Sequence, residues 1–114
     1  MSTFSYFNVT TTAVTTLSGI ETITSNSAQN IKGSPNCITI CNKDSSGDDC
    51  TIDLYLENSD STSIFYILHD VVIPGGSTLV LEKPEINYDS SIYALKFKLT
   101  SVAATQLVDI KIEY

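Results

Sequence analysis

Residues 63–81 read SIFYILHDVVIPGGSTLVL, the longest apolar run of the chain, broken once by Pro74-Gly75-Gly76. Residues 63–69 favour a strand, because β-branched and aromatic side chains fit a pleated surface. Residues 70–73 continue it past a bend. The Pro-Gly-Gly break reads as a turn, and residues 78–83 as the strand that returns from it.

Working outward, residues 50–57 (CTIDLYLE) alternate. Ile52, Leu54 and Leu56 fall on one face, and Thr51, Asp53 and Glu57 on the other, which is the period-2 signature of a half-buried strand. Residues 36–42 read as the strand before it, joined across the acidic loop 43–49 (KDSSGDD) as a hairpin. The preferred register puts Ile38 and Ile40 with Ile52 and Leu54 on the core side, and Cys37, Thr39 and Cys41 on the other; a one-residue slip would set Cys41 against Cys50. Residues 91–100 carry Tyr93, Leu95, Phe97 and Leu99 on one face and Lys96 and Lys98 on the other. Residues 106–114 carry Val108, Ile110, Ile112 and Tyr114 inside and Asp109, Lys111 and Glu113 outside. These last two segments read as a closing hairpin.

The start differs in composition. Seven threonines fall between Thr10 and Thr24, and Thr favours strands because its branched Cβ stiffens χ1. Residues 1–17 read as a strand or an extended arm that docks on a neighbouring subunit, with Phe4, Tyr6, Phe7 and Val9 as its candidate contacts. A short strand is expected over 20–24 and a loop over 25–35. No segment shows a 3.6-residue apolar period. The expected fold is a single all-β sandwich or jelly roll of about eight antiparallel strands over 18–114, with little or no helix.

Bulk properties narrow the function. The chain has 114 residues, a net charge of -7, six lysines and no arginine. Nucleic-acid binders need a basic field and use arginine forks, so no nucleic-acid partner is expected. No apolar run reaches the ~18 residues of a membrane span. Residues 1–12 show neither a basic n-region nor a continuous apolar h-region, so no signal peptide is expected.

Candidate chemistry is sparse. His69 is the single histidine, and its neighbour Asp70 should point to the opposite face of a strand. It therefore reads as a strand-end residue. Cys37, Cys41 and Cys50 read as free thiols packed as small apolar groups, with a Cys41–Cys50 disulfide as the alternative. Cys37 and Cys41 lie about 13 Å apart along a strand, too far to share an ion easily. Asp44, Asp48 and Asp49 surround Gly47 without the spacing of a calcium loop, and read as a solvated turn. Asn8-Val9-Thr10 matches a glycosylation acceptor, which carries little weight without a secretory signal. No nucleophile comes with a base and an orienter, so neither enzyme activity nor a cofactor is expected.

One resemblance adds to this reading. The run Ile64 to Leu68, then Val71-Val72-Ile73, Pro74-Gly75-Gly76, Ser77-Thr78 and Leu79-Val80-Leu81, resembles a pattern in small β-sandwich structural proteins of tailed bacteriophages. The flanking pieces CITICNKDSSGDDCTIDLYLEN and YALKFKLTSVAATQLVDIKIEY fit the same pattern, so the resemblance spans residues 36–114. It implies a virion component assembled in the bacterial cytoplasm: a capsid decoration (cement) protein, working as a homo-oligomer such as a trimer on the major capsid protein or another virion protein. A neck, tail or baseplate part is the alternative in the same class. A carbohydrate-binding sandwich is the alternative of another class, since jelly rolls also host lectins.

Overall fold

The computed structural model describes residues 4–19, 35–44, 46–58, 60, 62–89, 92–101 and 107–114. Among the described residues eight strands follow one another: β1 (Phe4–Val9), β2 (Thr15–Gly19), β3 (Cys37–Asn42), β4 (Cys50–Asn58), β5 (Ile64–Ile73), β6 (Thr78–Glu82), β7 (Tyr93–Ser101) and β8 (Val108–Glu113). No helix occurs among the described residues. The strands form two four-stranded sheets, β1-β8-β3-β6 (sheet A) and β2-β7-β4-β5 (sheet B). Every pairing is antiparallel. The pairs nest as β1 with β8, β2 with β7, β3 with β6 and β4 with β5, which is the winding of a jelly roll. The expected all-β sandwich is thus the fold observed.

The alternating patterns place the faces as read. Ile38 and Ile40 of β3, Ile52 and Leu54 of β4, Leu95, Phe97 and Leu99 of β7, and Val108, Ile110 and Ile112 of β8 are all buried in one core between the sheets. Burying such a side chain stabilises the fold by about 1.5–3 kcal/mol each. Ile86, in the connection between β6 and β7, fills the same core. On the outer face of sheet B, Lys96 pairs with Glu57 at 2.8 Å.

The neighbours differ from the sequence reading. The three expected hairpins, across 43–49, across Pro74-Gly75-Gly76 and between β7 and β8, are crossovers between the sheets. Alternation states which face of a strand is apolar. Two strands whose apolar rows must meet can lie side by side in one sheet or face each other across the core, and the pattern is the same in both cases. Among the described strands, only the β4–β5 connection joins sequential strands within a sheet. There the Asn58 side-chain oxygen accepts bonds from the Thr62 and Ser63 amides at 2.9 and 3.0 Å.

The acidic-loop and Pro-Gly-Gly crossovers are tightly joined. The Ser77 amide donates to the Pro74 carbonyl at 3.0 Å, and Gly76 has φ +80°, which a side chain resists. Gly75 packs directly on Gly47 of the acidic loop, where a Cβ would collide with the Gly47 carbonyl. The two loops therefore meet at one end of the sandwich. Residues 4–17, read as a strand or arm, supply an edge strand to each sheet, and Val9 and Leu17 reach the common core. The strand and loop expected over 20–34 lie outside the described residues.

Candidate functional site

Two surfaces stand out, one on each sheet. On sheet A, β1 alternates: Phe4, Tyr6 and Asn8 face out, while Phe7 packs against the core and Val9 is buried in it. Phe4 and Tyr6 are 44% and 72% exposed, and their rings stack at 6.4 Å. Lys111 Nζ lies 5.9 Å from the centre of the Phe4 ring, close enough for cation–π attraction. The four sequence candidates thus divide into two surface aromatics and two anchors that hold the strand down.

Beside Tyr6 lies a depression of about 540 Å³ whose outward-facing lining is Tyr6, Asn8, Thr39, Cys41, Asp109 and Lys111. Its polar wall is fixed. Asn8 Nδ2 donates to Asp109 Oδ1 at 2.7 Å, and Lys43 Nζ lies 2.9 Å from Asp109 Oδ2. The hydrogen bond from Lys43, helped by Asn8 and by the lysine charge, outweighs partial desolvation and holds the Asp109 carboxyl below its ordinary pKa. Val80 of β6 is exposed on the same face. This face combines aromatic edges with amide, hydroxyl and carboxylate groups, which suits contact with another surface.

On sheet B the structure corrects the reading of His69. Ile52 pairs with Val71 and Leu54 with Leu68, so Asp53 alone stands opposite both His69 and Asp70. This is a β-bulge. Asp70 takes φ +52°, a left-handed conformation that Asp tolerates better than most residues. The rule that neighbours point to opposite faces fails at such a kink. His69 Nδ1 lies 3.0 Å from Asp53 Oδ1, the Asp70 amide donates to the same oxygen at 2.8 Å, and His69 Nε2 lies 3.5 Å from Asp70 Oδ2. The Asp53 side chain is 9% exposed, whereas those of His69 and Asp70 are 57% and 63% exposed. The Tyr66 ring packs on His69 with centres 4.3 Å apart, and Tyr55 packs on Tyr66.

Sequence reasoning missed this cluster, because only the kink in β5 creates it. Its faint signal was a lone His-Asp pair inside a long apolar strand. No hydroxyl or thiol among the described residues hydrogen-bonds the His69 ring.

The remaining candidates serve the fold. All three cysteines are free. Cys41 faces outward on sheet A and Cys50 lies in the core, so the alternative disulfide is not formed. Asp44 is buried in its loop, and its Oδ2 accepts from the Asp48 amide at 2.8 Å and the Ser46 hydroxyl at 2.9 Å. The acidic loop is therefore built around Asp44 rather than simply solvated.

The chain matches no described protein family and no curated protein.

Proposed function

We propose that this protein is a structural component of a tailed-phage virion, a capsid decoration protein that binds the head through the outer face of sheet A as a homo-oligomer. The observation that carries this reading is the exposed Phe4–Tyr6 pair on β1, a strand anchored to the core by Phe7 and Val9. Aromatic side chains bring large contact area at low entropic cost, and they are the usual anchors of protein interfaces. The resemblance over residues 36–114 supports the same class. The contact is made by a strand face of the sandwich, not by a detached arm.

The test is the copy number of the protein in purified particles of the phage that encodes it, by quantitative mass spectrometry. Hundreds of copies per particle support decoration of the head; about six or twelve place it in the neck or tail instead. Absence from particles rejects the virion reading. Phe4→Ser with Tyr6→Ser, which leaves the core intact, should abolish binding to particles that lack the protein. Full occupancy by this variant rejects the proposed face.

A second reading, a carbohydrate-binding sandwich, is favoured by the half-exposed Tyr66 ring beside two carboxylates on sheet B. Saturable binding on a glycan array, lost in Tyr66→Ala, would support it over the virion role.

A further inference from the structure

We propose that Asp53, His69 and Asp70 bind one divalent ion of the zinc class on the outer face of sheet B. The donor set is one imidazole and two carboxylates. Zn²⁺ accepts nitrogen and oxygen ligands in this combination, whereas Ca²⁺ and Mg²⁺ seek six or more oxygens. One ligand atom from each residue can be chosen so that all lie within 4.8 Å of one another. Tetrahedral zinc at about 2.1 Å from each ligand needs ligand atoms about 3.4 Å apart. The required contraction falls on His69 and Asp70, whose exposed side chains can swing, while Asp53 stays fixed.

Asp53 is the fixed member of the donor set. Its carboxylate is about nine-tenths buried, yet among the described residues only Oδ1 receives hydrogen bonds, from the Asp70 amide and the His69 ring. Lys98, its cross-strand neighbour on β7, makes no ion pair with it among the described residues. A buried carboxylate is ordinarily matched by a cation. The bulge also turns two adjacent side chains toward this one carboxylate, and bulges re-aim side chains at functional positions. A bound ion would tie the edge strand β5 to β4 where their ladder is interrupted. Three protein ligands would leave a coordination position for water.

The test is zinc titration of the untagged protein, stripped with chelator, by calorimetry and thermal melting. The background is Cys37→Ser with Cys41→Ser, which removes the outward thiols of the opposite sheet. One ion per chain is expected, with a rise in melting temperature and a visible absorption band when Co²⁺ replaces Zn²⁺. Equal concentrations of Mg²⁺ or Ca²⁺ should leave the melting temperature unchanged. His69→Ala, at an exposed ring, should keep the fold by circular dichroism and weaken zinc binding by roughly 100-fold or more. Asp70→Asn should weaken it as well. No saturable binding up to about 1 mM Zn²⁺, or binding unchanged in His69→Ala, overturns the proposal.

Discussion

The side-chain amide of Asn42 donates a hydrogen bond to the Ile73 carbonyl, 2.9 Å away, and so joins the end of β3 in sheet A to the end of β5 in sheet B. The same amide donates to the Asp48 carbonyl at 3.0 Å, and its oxygen accepts from the Asp44 amide at 3.2 Å. The Asn42 carbonyl accepts from Gly76 at 2.8 Å. Both crossovers at this end of the sandwich thus converge on one fully buried residue.

Replacing that amide should be expensive. Asn42→Ala leaves the Ile73 carbonyl without this donor in a buried setting, at about 1–3 kcal/mol for each stranded group, so a loss of roughly 2–4 kcal/mol is expected from urea melts. Asn42→Asp should be worse at neutral pH, because a carboxylate oxygen would face carbonyl oxygens. Acidification should relieve part of that defect. A loss below about 0.5 kcal/mol in Asn42→Ala would contradict this role.

The glycines of the Pro-Gly-Gly turn should differ in kind. Gly76→Ala meets no neighbour and suffers only its positive φ, about 1–2 kcal/mol. Gly75→Ala drives a methyl into the Gly47 backbone and must separate the two loops. Thermal melts should rank Gly75→Ala as the less stable of the two. The reverse order would mean that the loops part easily.

Asp109 should make a small acid-side contribution to stability. Its pKa is lowered in the folded state, chiefly by the hydrogen bond from Lys43. A lowered carboxyl pKa stabilises above the unfolded value of about 3.9, and the effect is lost as pH falls through the folded value. Both side chains are about half exposed, so the pair contributes less than about 1 kcal/mol. Lys43→Met should raise the Asp109 pKa in a carboxyl NMR titration and reduce the stability lost on acidification below pH ~4. An unmoved pKa would show that Lys43 does not govern it.

The three thiols should react unequally. Burial, and then the Asp49 charge, push the Cys50 thiol up, against a weaker opposing hydrogen bond with the Ile73 backbone. The thiolate is the reactive species, so Cys50 should stay silent in the native protein. A thiol titration near pH 8 should count Cys37 and Cys41 before unfolding and all three cysteines afterwards. Three fast equivalents in the native state would place Cys50 outside the core.

What was legible in the sequence was the inward face of each well-patterned strand. Ile38 and Ile40, Ile52 and Leu54, and Ile110 and Ile112 alternate with polar residues, and solvent exclusion acts on that period. Which strand lies beside which was not legible, because a buried row fits a sheet neighbour and an opposite sheet equally well. In β1 both faces are aromatic or aliphatic, with Phe4 and Tyr6 on one and Phe7 and Val9 on the other, so the pattern named the segment without choosing its buried side. The Asp53–His69–Asp70 cluster depends on the sign of φ at Asp70 and on the register of β5 against β4. Both are set by packing between strands rather than by local composition.

The nested pairing also sets an order of events on the ribosome. Asn8 and Asp109 bond to each other across 101 positions of the chain, and β8 lies between β1 and β3. While the chain is being made, sheet A therefore lacks a central member until translation has passed Glu113. Of the strand pairs among the described residues, only β4 with β5 joins consecutive elements and can close as soon as both leave the exit tunnel. The edges of β1 and β3 that face β8 must stay unpaired until β8 has emerged, although β3 can already hold β6 on its other side, so the topology makes sheet A the later of the two sheets to close.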